Sequence, residues 1–199
     1  MSEDRIWRSS KEIIMDAYER IRKYQSGELL PARTGYAYLD KALLGGFYPQ
    51  HAVAIGARPG VGKSYLAQKI MSNVMNVNVN PQADDYVWLR CEFEMNPEDL
   101  MLRSLSKKMG KDIQDILLNK MSDEEIKEMQ KCLKEENSSR ITYIPKPSTV
   151  DELQNFLWNS YMPANKDKKM VFVSIDHTAL IQGTGDAKRN IDSLITMCN

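Results

Sequence analysis

Hydrophobic residues along this chain fall into short apolar runs separated by longer amphipathic stretches. The runs predict four β-strands, at 51–57, 86–93, 140–145 and 169–176. The last run is apolar at nearly every position, as in strands that are buried on both faces. Because helical patterns lie between the runs, the sequence predicts an α/β fold with a mainly parallel sheet flanked by helices.

Helices are predicted from periodicity and from residues that favour helix starts. A helical pattern follows the first strand over 62–76, and a polar surface connector is predicted over 76–85. Three further starts combine a capping residue with acids or proline: Asn96-Pro97, Ser122 with Glu125, and Thr149 with Glu152. We expect the last of these helices to reach about Tyr161.

A separate amphipathic helix is predicted over residues 3–25, ended by Ser26 and Gly27. Its apolar side chains share one stripe: Ile6, Ile13, Ile14, Ala17, Tyr18, Ile21 and Tyr24. The stripe either packs on the helix's own domain or docks on a neighbouring subunit. Periodicity alone leaves both interpretations open.

Composition adds little about partners but narrows the class of protein. The 199 residues suit one domain, and 27 basic against 27 acidic residues give no global sign of nucleic-acid binding, although a local basic patch is compatible with that balance. Three unpaired cysteines, with no C-x-x-C motif, favour a reducing compartment and argue against a zinc site. Without a signal peptide or an apolar run of membrane-spanning length, we expect a cytoplasmic protein that does not bind membranes.

The most specific chemical signal is "AIGARPGVGKSYLAQKI" at 54–70, which contains the Gly-Lys-Ser ending of a P-loop between a predicted strand and helix. In such a loop, Lys63 reaches the β- and γ-phosphates and the Ser64 hydroxyl binds Mg²⁺. Ala57 stands where the general pattern has glycine, and one extra methyl group is tolerable where the strand leaves the sheet. The predicted nucleotide contacts are Arg58, Pro59, Gly60, Val61, Gly62, Lys63, Ser64 and Tyr65.

Hydrolysis of a nucleotide needs acidic groups besides the P-loop. Asp176 ends the apolar run "VFVSID" and is the candidate second holder of Mg²⁺. Glu92 and Glu94 lie at the end of the second strand, at the sheet edge where ligands of parallel sheets bind, and either is a candidate to activate water. Two residues apart, they point to the same face, so spacing does not choose between them.

Taken together, these segments resemble the RecA-like ATPase domain of DnaB-type replicative DNA helicases, over roughly residues 30–199. The similar stretches are "RTGYAYLDKALLGGFYPQHAVAIGARPGVGKS", "EFEMNPEDLMLRSL" and "VSIDHTALI". The family's P-loop commonly reads Ala-Arg-Pro, so Ala57 fits it, and its Leu-Glu-Met stretch favours Glu94 over Glu92 as the catalytic glutamate. "VSIDHTALI" resembles the Walker B segment ending on Asp176, although His177 and Ala179 depart from the family's tyrosine and glutamine.

The resemblance implies an ATP- and Mg²⁺-dependent helicase that forms a hexameric ring and moves on single-stranded DNA at a replication fork. Lys63 and Glu94 would be catalytic, while Ser64 and Asp176 would hold the metal. Residues 1–27 would be a linker helix that docks on the adjacent subunit, and 28–199 the ATPase domain. Primase or a helicase loader is the further partner that the resemblance implies.

The family's sensor strand, arginine finger and main DNA-binding loops follow Walker B, and the resemblance therefore implies a phage-like member that is cut short after that motif. Such a piece is expected to hydrolyse ATP poorly by itself. Lys188 and Arg189, in "IQGTGDAKRNID", lie near the family's DNA channel and are candidate DNA contacts. Two other interpretations stay open: a RecA- or KaiC-like ATPase without unwinding activity, and a nucleotide-binding replication scaffold that does not hydrolyse.

Overall fold

The computed structural model describes residues 8–118, 121–136, 140–146 and 149–176. The helices are Ser10–Gln25 (α1), Ala37–Ala42 (α2), Lys63–Val74 (α3), Pro97–Met109 (α4), Ile113–Leu118 (α5), Asp123–Glu136 (α6), Val150–Phe156 (α7) and Met162–Ala164 (α8). The strands are Tyr86–Glu92 (β1), Ile141–Ile144 (β2) and Met170–Asp176 (β3). A π-helical turn, Leu157–Tyr161, joins α7 to α8, and a 3₁₀ turn, Ala83–Asp85, precedes β1.

Within the described residues, the three strands form one parallel sheet in the order β2-β1-β3. Every residue of the central strand β1 is buried. Its register with β3 runs from Tyr86 opposite Met170 to Glu92 opposite Asp176. The predicted α/β class and the parallel arrangement of these strands are confirmed.

The sheet is covered by helices on both faces. On one face, Ile70, Met71 and Val74 of α3 pack against Tyr86 and Trp88. On the other, residues of α7 and the π-helical turn form a second core with the remaining strand positions: Val87, Leu89, Cys91, Phe93, Leu153, Leu157 and Tyr161. Because successive strand residues point to opposite faces, alternate positions of β1 serve the two cores.

The first predicted strand, 51–57, is wrong for this structure. Those residues form no strand, and each of them is exposed. The segment contains three alanines and a glycine, which are depleted in strands and bury little side-chain area. A strand also needs a neighbour to accept its backbone hydrogen bonds, and apolar character alone does not supply one.

Most of the predicted helix starts are confirmed. Thr149 and Glu152 form a complete capping box, and Ser122 and Glu125 exchange the corresponding hydrogen bonds. α4 begins at Pro97 as predicted, although the Asn96 side chain makes no capping hydrogen bond.

Within the described residues, the first helix begins later than a continuous helix over 3–25 would, because Arg8 and Ser9 are not helical, while the predicted start at residue 3 lies outside the described residues. α1 starts at Ser10, because Ser9 caps it in a box with Glu12. The helix then ends at Gln25, in agreement with the predicted stop at Ser26 and Gly27.

The stretch before the P-loop is fixed by hydrogen bonds of polar side chains that are wholly or partly buried. Asp40 accepts hydrogen bonds from the Thr34 backbone N–H and hydroxyl, each at 2.7 Å, and Thr34 is fully buried. Asn73 of α3 donates to the Thr34 carbonyl at 2.9 Å. The Thr-Gly and Leu-Asp elements of "RTGYAYLD" therefore hold this segment against α3.

The predicted surface connector 76–85 is partly wrong, because Asn80 and Ala83 are buried. Asn80 binds both the N–H and the carbonyl group of Arg33. It also donates to the carbonyls of Asn73 and Val74. The buried Asn80 side chain thus joins the segment around Arg33 to α3 through hydrogen bonds. The polar composition of the connector does not reveal this role.

No helix in the described ranges is long and apolar enough to cross a membrane.

Candidate functional site

The P-loop turns sharply into α3 at two glycines in the left-handed region. Gly60 has φ 79° and Gly62 has φ 97°, and Gly62 is the N-cap of the helix. A Cβ at either position would meet no atom within 4 Å, so backbone conformation rather than crowding favours glycine here. No side chain caps α3, which leaves its first-turn N–H groups directed at the space in front of the helix. This open, N–H-lined turn suits the phosphates of a nucleotide.

Lys63 and Asp176, which lie far apart in sequence, meet at the carboxyl edge of the sheet. The Lys63 Nζ atom lies 3.5 Å from the Asp176 Oδ1 atom. Both side chains are partly exposed, Lys63 at 30% and Asp176 at 19%, so they face a common solvent-accessible space. The backbone of Asp176 is held by β1, because the Phe93 N–H donates to its carbonyl at 2.8 Å.

The two glutamates that sequence spacing leaves equivalent have different environments. Glu92 is the last residue of β1, is 5% exposed and forms an ion pair with Arg90. Glu94 is exposed on the bend that follows the strand. Glu94 is therefore the accessible carboxylate at this edge, while Glu92 is engaged within the protein.

Arg90 is the feature that sequence reasoning missed. Its Nε atom donates to Glu92 Oε1 at 2.8 Å and its Nη2 atom at 2.5 Å, and its guanidinium lies over the Trp88 ring, 4.4 Å from the centroid. Burial raises the pKa of Glu92, and so do the charges of Asp176 and Glu94, while Arg90 opposes that rise. The signal in the sequence was the pair of charges in the otherwise apolar strand "YVWLRCEF".

The remaining predicted contacts surround the turn. Arg58, Pro59 and Val61 are exposed, and Ser64 is half-buried in the first turn of α3. Tyr65 is exposed, accepts a hydrogen bond from Lys107 of α4 at 2.8 Å, and for that reason has a lowered pKa. The candidate DNA contacts, Lys188 and Arg189, lie outside the described residues, as do His177 and Ala179.

The donor set fits a nucleotide with a magnesium ion. Magnesium commonly takes one or two carboxylate or hydroxyl oxygens from a protein and the rest from phosphates and water. Asp176 and Ser64 are groups of this kind, and they flank the turn. In the described ranges, no group of three or more His, Cys, Asp or Glu side chains is arranged to hold a metal by itself.

Replicative helicases are the curated proteins that this chain resembles. It is 25% identical over 191 residues to the replicative DNA helicase DnaB of Helicobacter pylori, covering 94% of this chain and 37% of that protein. It is 24% identical over 183 residues to the replicative DNA helicase DnaC of Bacillus subtilis, covering 90% of this chain and 38% of that protein. The chain thus spans well under half the length of these relatives.

Solved structures agree on the fold. One solved ATPase domain matches with a TM-score of 0.70 and 21% identity, over 96% of this chain and 66% of that one. A DnaB-like replicative helicase, solved in a study of its interactions with primase, matches with a TM-score of 0.67 and 20% identity, over 99% of this chain and 47% of that one. The fold is therefore that of the RecA-like ATPase domains of DnaB-like helicases. Residues 32–197 match the family described as DnaB-like helicase C terminal domain, and the chain belongs to that family.

Proposed function

We propose that this chain is the ATP-hydrolysing part of a ring-forming replicative DNA helicase. The observation that carries the proposal is the 3.5 Å approach of Lys63 and Asp176 beside the N-terminus of α3. The Lys63 ammonium is a group that binds phosphate, and the Asp176 carboxylate is a group that binds a metal. Both face the same open space as the N–H groups of the first turn of α3. This combination suits a nucleoside triphosphate bound with magnesium.

Each residue around the turn has a definite role in this proposal. The N–H groups of the loop and of the first turn of α3 bind phosphate oxygens, with contacts from the segment Arg58–Tyr65. Lys63 exchanges its contact with Asp176 for the β- and γ-phosphates and neutralises their charge. Ser64 and Asp176 would hold Mg²⁺, which would supply positive charge beside the phosphates.

Glu94 is proposed to orient and deprotonate the attacking water. It follows β1 at the same edge as Asp176 and is exposed, so its carboxylate has access to solvent. Glu92 does not suit this role, because Arg90 occupies its carboxylate inside the protein. The burial difference therefore supports the choice of Glu94.

Nucleotide binding by this chain tests the first step. Lys63→Ala should weaken the binding of a fluorescent ATP analogue in the presence of magnesium by on the order of 100-fold, because a charge-assisted phosphate contact is lost. Lys69→Ala, also on α3, is the matched control and should bind as the unaltered chain does. Equal affinities for the two variants would contradict the assignment of the P-loop.

Hydrolysis in the full-length protein tests Glu94. Glu94→Gln should lower the ATPase rate by roughly 10² to 10⁴-fold while leaving nucleotide affinity nearly unchanged, the range expected for loss of general-base assistance. Glu98→Gln, an exposed residue in the first turn of α4, is the control. A normal rate in Glu94→Gln would favour a different base or a scaffold that does not hydrolyse.

The proposal also includes ring formation and DNA unwinding. The ring would move along single-stranded DNA at a replication fork. The full-length protein should displace a strand from a forked duplex only when ATP and magnesium are present. ATP hydrolysis without displacement would favour the RecA- or KaiC-like alternative. Primase or a helicase loader is the proposed further partner.

The first helix is proposed to join subunits of a hexamer, with residues 1–27 as the docking segment and 28–199 as the ATPase domain. Ile14 of α1 is 65% exposed and Tyr18 is 62% exposed, on the stripe that the sequence predicted. Ile14→Lys should shift the full-length protein to smaller species in sedimentation. Glu19→Lys introduces the same residue on the opposite face of α1 and should leave the assembly intact.

A further inference from the structure

Four charged side chains form a row across the carboxyl edge of the sheet. Lys63 contacts Asp176, Asp176 is the register partner of Glu92, and Glu92 is paired with Arg90. Register partners in a parallel sheet project from the same face, so the two carboxylates lie side by side. The row therefore reads positive, negative, negative, positive.

The Arg90–Glu92 pair is not explained by stability. Both residues are nearly buried, at 8% and 5% exposure. Removing two charges from water is costly, and well-packed apolar side chains of similar volume are often as stabilising as a buried ion pair. On the opposite face of the same strand the core residues are all apolar: Val87, Leu89 and Cys91.

The pair is also held in one arrangement. Two nitrogens of Arg90 donate to the same oxygen of Glu92, and the guanidinium lies near the rings of Trp88 and Tyr143, at 4.4 and 5.2 Å. Trp88 is itself fixed by a hydrogen bond from its Nε1 atom to Ser174 Oγ at 2.8 Å. The charges beside Asp176 thus have little freedom to rearrange.

We propose that Arg90 and Glu92 are positioning residues that set the electrostatic potential at Asp176, and thereby the balance between divalent-cation and phosphate binding in the P-loop site. This inference rests on the proposed function, because it assigns a role toward the same magnesium-nucleotide site. Glu92 adds negative charge next to Asp176 and favours the cation. Arg90 limits that charge, so that the phosphates are not repelled.

The consequence is a pair of effects with opposite signs. Glu92→Gln leaves the Arg90 charge uncompensated beside Asp176. The half-saturating Mg²⁺ concentration of the nucleotide complex should then rise by about tenfold or more, since one unit charge acting on a divalent cation across about 10 Å changes affinity about fourfold in water and over roughly 100-fold at the effective dielectric constant near a protein surface. Nucleotide affinity measured in EDTA should rise, because the extra positive charge attracts phosphate.

The experiment uses the full chain with a fluorescent ATP analogue at pH 8, with and without magnesium. Arg90→Met together with Glu92→Gln removes both charges at similar volume and should restore both affinities to within about threefold of the unaltered chain. Arg90→Met alone carries the opposite imbalance, so it should bind nucleotide less tightly in EDTA and require no more Mg²⁺. The two single variants therefore test the idea from both sides, even where one of them fails to fold.

The outcomes separate the possibilities. Opposite movements of the two affinities in Glu92→Gln, with restoration in the double variant, would support the inference. A parallel loss of both affinities, together with a lower melting temperature, would mean that the pair is only structural and would overturn it. No change in either affinity would overturn it as well. Absence of magnesium-dependent nucleotide binding in the unaltered chain would instead overturn the proposed function, and this inference with it.

Discussion

The two faces of strand β1 share one backbone but differ in chemistry. Facing α7 and the π-helical turn, Val87, Leu89 and Cys91 contribute only apolar packing. Facing α3, the strand changes from aromatic at Trp88 to charged at Arg90 and Glu92 as it approaches the P-loop. We call the face toward α7, which is apolar along its length, the uniform face. The face toward α3, which is charged only near the P-loop, is the graded face.

Under the proposed function, this difference means that stability depends mainly on one face of the strand and ligand binding on the other. Every position of the uniform face buries apolar surface. The graded face buries apolar surface at the amino end of the strand and carries charge at its carboxyl end. Mutations on the two faces should consequently have separable effects on unfolding free energy and on ligand affinity.

The largest expected effect is on the uniform face. Leu89 is 1% exposed and packs between the sheet and α7. Leu89→Ala should lower the free energy of unfolding by about 3 kcal/mol, because it removes buried methyl groups and leaves a cavity. Urea unfolding followed by circular dichroism measures this change.

The same variant should leave nucleotide affinity unchanged under conditions where it is fully folded. Its side chain points away from Lys63 and Asp176, so no charge near the site is altered. A loss of affinity comparable to that of Lys63→Ala would show that the two faces are not separable.

A smaller effect is expected in the middle of the graded face, where Trp88 donates to Ser174. Trp88→Phe and Ser174→Ala should each lower the free energy of unfolding by about 1 kcal/mol, since each breaks this partly buried hydrogen bond. A double-mutant cycle should give a coupling of about 1 kcal/mol. Additive losses would mean that the hydrogen bond contributes nothing beyond the packing of the two residues.

Sequence reasoning succeeded where the determining interactions are local. The strands at 86–92, 141–144 and 170–176 are recognisable from short, mainly apolar runs, and the start of α7 from its capping box. The approach of Lys63 to Asp176 was also within reach, because carboxyl ends of parallel strands share one sheet edge. That rule predicts that the P-loop and the strand ending in Asp176 meet at the same edge of the sheet.

It failed where the outcome depends on partners distant in sequence. The apolar segment 51–57 matched a strand pattern, but pairing in a sheet is non-local, and the segment is exposed and unpaired in the described structure. Glu92 and Glu94 are equivalent by spacing; the family resemblance favours Glu94, and the structure adds that Glu92 is buried against Arg90. A two-residue periodicity assigns a face to a side chain, but it does not say whether that face is filled by a charge pair.

The smallest expected effect returns to the apolar face, at Cys91. Burial, with a smaller contribution from the neighbouring Glu92 charge, raises the pKa of this thiol to about 12. The unfolded chain loses the thiol proton near the ordinary value of 9.0, before the folded protein does, so the free energy of unfolding should fall as pH rises from 9 toward 12.

Cys91→Val, which keeps an apolar side chain of similar size, removes this dependence. Between pH 9 and 10 the unaltered chain should lose about 1 kcal/mol more than the variant, in a window below that in which the raised pKa values of Tyr86 and Tyr161 contribute. Equal pH dependence in the two proteins would mean that the thiol reaches solvent in the folded state, and that the apolar face is less tightly closed than its packing indicates.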